Sequence, residues 1–221
     1  MRLLQIINHL LFPEKCVLCG KLLDGGETDL CRTCRTDAPV FPGGRSKRTF
    51  LDSWNAVWYY EDNPRNSLLR YKFGGRRGYA KVYGQLLAMK LLQEHPEGFD
   101  VLTWIPVSRL RKLTRGFDQV ELLAQHVGRE LGMEAVALLK KIRHNRPQSS
   151  IAGEAQRRAN VLGVYRVTDP ALVAGKRILL LDDIITTGAT AGEAGRILLT
   201  AGGKEVHFGA VAAARHRSKN K

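Results

Sequence analysis

The segment LLLDDIITTGAT, residues 179–190, places two carboxylates directly after an apolar run. The longer stretch KRILLLDD (176–183) predicts a strand that is apolar on both faces. Such strands occur in parallel sheets whose two faces are both covered. A pair of acids at the end of a buried strand is costly unless the acids are solvated or bonded. The segment therefore predicts both an α/β fold and a polar site at the carboxyl end of this strand.

Strand and helix patterns alternate along most of the chain, which favours a mostly parallel sheet with helices on both faces. Further strands are predicted at SWNAVWYY (53–60), DVLTWIPV (100–107) and EVHFGAVAAA (205–214), where His207 is interpreted as a structural histidine. Helical spacing is found at 66–75, 78–95, 118–131 and 190–203. The helix at 78–95 carries Val82, Leu86, Met89 and Leu92 on one face.

The residues after the acids predict a phosphate site. TTGAT (186–190) leads into a helix, whose first N–H groups are free to bind an anion. Gly188 allows close approach of the backbone. Because carboxylates can accept hydrogen bonds from vicinal hydroxyls, Asp182 and Asp183 together with this turn predict a ribose 5-phosphate site. The alternative is a capped strand–helix turn with Thr187 or Thr190 as N-cap, which explains neither carboxylate.

The four cysteines form two CxxC pairs. Cys16 and Cys19 are separated by eleven residues from Cys31 and Cys34, a spacing typical of a structural tetrahedral zinc site. The alternatives are disulfides or four unrelated thiols. Disulfides are rare in intracellular proteins, and unrelated thiols rarely fall in two tight pairs. With few apolar residues around it, this module is expected to fold only with its metal bound.

The composition is that of a globular protein with a net charge of +14, which favours a polyanionic partner over a merely soluble basic surface. No stretch approaches the roughly 20 apolar residues of a membrane span, so we expect a cytoplasmic protein. The first residues, MRLLQIINHLLF, predict an amphipathic helix with Leu3, Ile6, Ile7 and Leu10 on one face. The expected boundaries are an amino-terminal helix and four-cysteine zinc module (1–40), a linker (41–52), one large domain (53–215) and a basic tail (216–221).

Three further segments carry concentrated positive charge. SRLRKLTRG (108–116) follows a predicted strand, where clustered cations suit a polyphosphate with Mg²⁺; the alternative is a solvated basic turn. RHNRPQSSIAGEAQRRAN (143–160) is polar and predicts a mobile loop. YKFGGR (71–76) interleaves cations with aromatics, as single-stranded nucleic acid sites do, but a core role for the aromatics is favoured.

LLLDDIITTGAT resembles the motif with which type I phosphoribosyltransferases bind phosphoribosyl pyrophosphate (PRPP). With WIPVSRLRKLTRGFDQVELLA (104–124), RPQSSIAGEAQRRANVLGVY (146–165), YKFGGR and the cysteine pairs in this order, nearly the whole chain resembles the competence-associated ComF family. Two positions depart from the family pattern. RGFDQ has Asp118 where the family usually has Asn, and PVS has Ser108 where the family has Pro.

The resemblance implies a type I phosphoribosyltransferase fold for 53–215 and a role for each motif. Asp182 and Asp183 would hold the ribose hydroxyls and serve in catalysis, and the turn after them would hold the 5-phosphate of Mg²⁺-PRPP. Arg157 or Arg158, in a loop that closes over the substrate, would neutralise the departing pyrophosphate. The implied 5-phosphate residues are Thr186, Thr187, Gly188, Ala189 and Thr190. The implied pyrophosphate loop contains Ser108, Arg109, Arg111 and Lys112.

Two functions remain open at this point. One is a phosphoribosyltransferase with an unknown acceptor. The other is a non-catalytic phosphosugar sensor that also binds single-stranded DNA, with the cysteine module as a docking surface for a partner such as a competence helicase. The resemblance implies a role in natural transformation for either. Nucleobase salvage is ranked below both, because no segment predicts base recognition.

Overall fold

In a computed structural model of the protein, residues 13–44, 46–143 and 154–215 are described, without the side chains of 109, 154 and 158. The strands are β1 (Ser46–Arg48), β2 (Leu51–Tyr59), β3 (Val101–Trp104), β4 (Leu139–Lys141), β5 (Tyr165–Val167), β6 (Arg177–Ile185) and β7 (Glu205–Ala213). The α-helices are α1 (Arg32–Asp37), α2 (Asp62–Phe73), α3 (Tyr79–Glu94), α4 (Arg109–Arg115), α5 (Gln119–Leu131), α6 (Glu154–Val161) and α7 (Ala189–Thr200), with a 3₁₀ turn at Pro170–Leu172.

The main sheet has the strand order β1-β2-β7-β6-β3. Strands β2, β7, β6 and β3 are parallel, and β1 is an antiparallel edge. The mostly parallel sheet predicted from the alternating patterns is therefore confirmed. β4 and β5 form a separate antiparallel pair.

Strand β6 is buried on both of its faces. Leu179 and Leu181 belong to one apolar cluster, which also contains residues of α3 and α5. Ile178 and Leu180 belong to a second cluster, which includes residues of α7. Because successive side chains of a strand point to opposite faces, β6 is packed on both sides, and its carboxyl end is fixed between two helical layers.

The structure differs from the boundaries expected for the chain at the linker. The expected linker (41–52) contains β1, which pairs with β2, and Phe41 packs on Trp54 with ring centroids 4.9 Å apart. This segment is therefore part of the sheet, and the expected start of the large domain at 53 falls inside β2. The predicted amino-terminal helix and basic tail lie outside the described residues.

A buried polar chain crosses the amino edge of the sheet, opposite the acids. Ser53 Oγ lies 2.9 Å from His207 Nδ1 and 3.0 Å from His95 Nε2. The other nitrogens of these rings face Glu205 (3.1 Å) and Glu97 (3.3 Å). His207 is thus a satisfied structural histidine, as predicted.

Gly84 permits the close packing of α3 on α5. A Cβ at this position would lie 2.5 Å from the Cβ of His126. We expect Gly84→Ala to destabilise the protein by about 1–3 kcal/mol through overpacking, which corresponds to about 3–10 °C in thermal melting. Gly78→Ala is the matched control, because Gly78 has φ −59° and a Cβ there meets nothing within 4 Å. Equal melting temperatures for the two variants would contradict this account of the packing.

Candidate functional site

The two acids lie on β6 itself, which continues beyond them to Ile185. Asp182 is paired in register with Ala210 of β7. Asp182 and Asp183 lie three and two residues before Ile185, the last residue of β6. Asp183 is 7% exposed and pairs with Lys72 of α2, whose Nζ lies 2.9 Å from Asp183 Oδ1. Lys72 was not singled out from the sequence as a site residue.

The surroundings of Asp182 disfavour its charged form. Burial, followed by the charge of Asp183, raises the pKa of Asp182 well above its usual range. The backbone N–H of Asp183 and the charge of Lys72 act in the opposite direction. Two adjacent carboxylates with limited solvent favour hydrogen-bond donors or a cation at this position.

In the turn after β6, neighbouring groups come close to the backbone at Gly188. Gly188 has φ +79°, a left-handed conformation that side chains rarely adopt, and it directly precedes the twelve-residue helix α7. Arg48 of β1 donates from Nη1 to the carbonyl oxygen of Thr187 at 3.1 Å, and a Cβ on Gly188 would lie 2.8 Å from that nitrogen. A small cavity is lined by Asp182, Ile184, Ile185, Thr186, Thr187, Gly188, Ala189, Thr190, Ala191 and Phe208. The structure therefore brings Asp182 together with all five predicted phosphate-site residues, whereas Asp183 is not part of this lining and pairs with Lys72.

The basic segment predicted as a loop or turn is the short helix α4. Ser108 is its N-cap and accepts a hydrogen bond from the N–H of Arg111 at 3.4 Å. Asp118 caps α5, accepting from the N–H groups of Val120 and Glu121, and its second oxygen accepts from the N–H of Val107 at 3.2 Å. Ser108 and Asp118 thus fix both ends of this segment, which explains the polar residues at these positions.

Lys112 and Arg111 of α4 have different charged neighbours. Lys112 forms an exposed ion pair with Glu121 at 2.8 Å. Burial, and then the charge of Asp182, raise the pKa of the Tyr165 hydroxyl, and the charge of Arg111 acts in the opposite direction. Burial, and then the charge of Arg111, lower the pKa of Lys141 to about 8. Of the predicted pyrophosphate residues, Ser108 is the cap of α4, Lys112 is ion-paired with Glu121, and Arg109 has no described side chain.

The carboxyl-terminal part of the segment 143–160 is helical. Residues 144–153 lie outside the described part of the chain, while Glu154–Val161 forms helix α6, which packs on α7. The prediction of a loop is wrong for residues 154–160. Arg157 is half-buried in this helix, and the side chain of Arg158 is not described.

YKFGGR divides between the core and the surface. Tyr71 is fully buried, as expected, and its hydroxyl donates to the carbonyl of Gln119 at 2.7 Å. Phe73 is 69% exposed, so the expectation of a core role is wrong for this residue. The guanidinium carbon of Arg115 lies 4.8 Å from the centroid of the Phe73 ring, and that of Arg77 lies 4.8 Å from the Phe117 ring. Phe73, Arg76, Arg77, Arg115 and Phe117 are called the basic–aromatic surface below.

The four cysteine thiols converge. Their Sγ atoms all lie within 4.8 Å of one another, and Cys19 Sγ is 3.7 Å from Cys31 Sγ. A tetrahedral site with zinc–sulfur bonds of about 2.3 Å has sulfur–sulfur edges of about 3.8 Å. The first pair lies on a tight turn bridged at Lys15 and Leu22, and Cys31 is the N-cap of α1. The cluster is therefore able to hold one metal ion.

The thiols of this cluster shift one another's pKa values. Burial raises the pKa of Cys16, but backbone N–H groups, including those of Cys19 and Cys31, outweigh it and lower the pKa to about 7. Burial, and then the neighbouring thiols, raise the pKa of Cys34. Without a cation the cluster thus favours few thiolates, whereas a bound divalent ion would stabilise all four.

The cysteine module is docked on α2, the helix that carries Lys72. Ser67 donates from its hydroxyl to the carbonyl of Val17, and Arg70 donates to the carbonyl of Leu18 at 2.6 Å. Asn63 Nδ2 lies 3.7 Å from Cys34 Sγ. One helix therefore contacts both the metal-binding cluster and the acidic pair.

Comparison with known proteins identifies the chain. The phosphoribosyl transferase domain family matches residues 118–221. Competence protein ComFC of Streptococcus pneumoniae is 34% identical over 154 residues, 70% of this chain and 65% of that protein. ComFC of Bacillus subtilis is 27% identical over 91% of this chain and 76% of its own length. DNA utilization protein YhgH of Escherichia coli O157:H7 is 27% identical over 88% of this chain and 94% of its own length.

The chain belongs to the ComF family. It has the type I phosphoribosyltransferase fold, with a four-cysteine module docked at its amino-terminal side. The chain spans 65% of the length of the pneumococcal relative. Among the described residues, no helix is both long and apolar enough to cross a membrane.

A metal in the cysteine cluster should be measurable directly. We expect about one equivalent of Zn²⁺ per chain by elemental analysis, and Cys34→Ser should lose most of it because one of four ligands is removed. The melting temperature of this variant should fall by about 10 °C or more, since metal binding contributes to folding. Thr33→Ser, in the same turn, should keep both values. Purified protein with far less than one equivalent of any metal would contradict the assignment.

Proposed function

We propose that this ComF-family protein binds PRPP together with Mg²⁺ at the carboxyl end of β6. The observation that carries the proposal is the succession of Asp182 and Asp183, the left-handed Gly188 and the amino end of α7 at one edge of the sheet. Ligands of open α/β sheets bind at the carboxyl ends of the strands. In this arrangement, sugar hydroxyls face carboxylates and a phosphate faces helix N–H groups.

Each part of the ligand then has a chemical partner. The ribose hydroxyls donate to Asp182 and Asp183, and Asp183 shares its carboxylate between the ribose and Lys72. The 5-phosphate accepts from the turn at 186–190. The pyrophosphate is assigned to Arg111 of α4 and to Arg157 or Arg158 of α6, because guanidinium groups are suited to phosphate oxygens. Arg109 and Lys112 of α4 are further proposed pyrophosphate contacts, and Lys112 would have to leave its ion pair with Glu121 to serve as one.

Mg²⁺ fits this set of donors. It prefers oxygen ligands and is commonly held by one or two carboxylates together with phosphate oxygens of the substrate. Asp182 and Asp183 supply such carboxylates, and the raised pKa of Asp182 is the expected property of a site that gains from a cation. Bound Mg²⁺ would neutralise charge on the pyrophosphate.

Binding, rather than one particular transfer reaction, is what the geometry supports best. Asp183, a carboxylate that could act as a general base, is held in an ion pair with Lys72. A pentosyl transfer to an unknown acceptor would use the site for positioning and charge stabilisation. Sensing of a phosphosugar without turnover would use the same contacts. Release of pyrophosphate on addition of candidate acceptors separates these two uses.

The relatives are named for competence and for DNA utilization. We therefore propose a cytoplasmic role in natural transformation, handling single-stranded DNA. The observation that favours a DNA site is the basic–aromatic surface next to Lys72. An exposed phenylalanine under a guanidinium is suited to stack a base while cations hold the phosphate backbone. The cysteine module, with zinc bound, would serve as a docking surface for a partner such as a helicase.

The phosphosugar site is tested by calorimetric titration of Mg²⁺-PRPP into the full chain. We expect Asp182→Asn/Asp183→Asn to weaken binding by about 100-fold or more, because two charge-assisted hydrogen-bond acceptors are lost. Asp24→Asn/Asp37→Asn is the matched control, since it makes the same charge change at two exposed aspartates of the cysteine module. Equal affinity for both double variants, or no binding by the wild type, would refute the proposal.

The DNA site is tested by fluorescence anisotropy with a labelled oligothymidine at two salt concentrations. We expect Phe73→Ala to weaken binding about five- to 100-fold, the effect of one lost base stack. Phe50→Ala removes another exposed phenylalanine and should leave the affinity unchanged. Arg76→Ala/Arg77→Ala should reduce the dependence of affinity on salt, since fewer counterions are released. Binding that is insensitive to salt, or absent at about 50 mM salt, would exclude this surface as a DNA site.

A further inference from the structure

A groove of about 720 Å³ lies between the cysteine module, β2 and helix α3, away from the acids. Its wall includes Leu30 and Cys34 from the module and Trp58 from β2. Large apolar side chains at the groove remain accessible among the described residues: Val40 is 58% exposed, Met89 53% and Leu92 47%. Single exposed apolar residues are ordinary, but a cluster in one concave surface marks a binding site.

Helix α3 is apolar on two sides, of which one is buried in the described core and the other is only partly covered by it. Tyr83, Leu87 and Leu91 are fully buried against the sheet and α5. Val82, Leu86 and Met89 follow one another at spacings of four and three residues, and all three line the groove. Val82 is buried at the base of this side, Leu86 is half-buried and Met89 is 53% exposed. These residues belong to the apolar face that the sequence predicts for this helix. A stripe of this kind is the surface against which another amphipathic helix packs.

Residues 1–12 are the part of the chain best suited to this groove. They lie outside the described residues, and their sequence predicts an amphipathic helix with Leu3, Ile6, Ile7 and Leu10 on one face. The described chain resumes at Pro13, three residues before Cys16, so the two positions are at most about 11 Å apart. The thiol of Cys16 lies within 4.8 Å of that of Cys34, which lines the groove. Twelve residues in a helix extend about 18 Å, enough to follow the exposed stripe of α3.

We propose that residues 1–12 form an amphipathic helix that docks in this groove, with its apolar face on Val82, Leu86 and Met89. The rim carries acids (Asp29, Glu130) and bases (Arg35, Lys90), so it can accommodate the single Arg2 of the segment. The short connection keeps the segment at high effective concentration near the groove, which favours docking within one chain. The docked helix would join the cysteine module to α3 across their contact. This inference does not depend on what the phosphosugar site binds.

The docking is tested on the full chain with the photoreactive p-benzoylphenylalanine in place of Ile7. After irradiation and proteolysis, we expect crosslinks to 82–92, mapped by mass spectrometry. Mixing ¹⁴N- and ¹⁵N-labelled chains distinguishes crosslinks within a chain from crosslinks between copies. The same probe in place of Leu172, an exposed leucine outside the groove lining, is the control and should not react with α3. Crosslinks mainly between chains, crosslinks elsewhere on the chain, or none above the control would overturn the proposal.

A second measurement uses hydrogen exchange of the α3 peptides. Ile7→Asp places a charge on the apolar face of the segment and should speed exchange at 82–92 about ten-fold or more, since burial of one isoleucine is lost. Asn8→Asp adds the same charge at the adjacent position on the other face and should leave exchange unchanged. Equal exchange in the two variants would overturn the docking of this face even if both variants fold.

Discussion

Strand β6 is buried on both faces for four residues and then carries two carboxylates, and this combination constrains the rest of the molecule. Burial on both sides requires a helical layer above and below the sheet, supplied by α3 and α5 on one face and α7 on the other. The same burial leaves little water near Asp182 and Asp183 and raises the pKa of Asp182. The acids are tolerable only with partners, and Lys72 is one of them.

Helix α2 links the two chemically distinct parts of the protein. Its middle turns hold the cysteine module through Ser67 and Arg70, and its last turn provides Tyr71 to the core and Lys72 to Asp183. Removing one partner of a buried ion pair leaves an uncompensated charge, which typically costs about 3–5 kcal/mol. A shift of α2 by a fraction of its pitch would break that pair. The cysteine module and the acidic pair are therefore held by the same helix.

The sequence predicts those features that depend on local pattern. β6, the turn at Gly188 and the convergence of the four cysteines follow from residue spacing within short segments. The features it misses depend on contacts between distant segments. The pairing of Lys72 with Asp183 spans 111 residues, and that of Arg48 with Thr187 spans 139. The helical form of the basic segment 109–115 was detectable from Ser108 as a cap, but its charge density favoured a loop.

The contact between Arg48 and Thr187 has a consequence for where the protein can be cut. The segment matched as a phosphoribosyl transferase domain begins at 118, yet β1, β2 and β3 all precede that residue. Three of the five strands of the main sheet, and the guanidinium beside Gly188, therefore come from outside the recognisable domain. The segment matched by the domain family is therefore shorter than the part of the chain that forms the main sheet. An excised fragment that keeps the phosphate turn in its native shape must begin no later than Ser46.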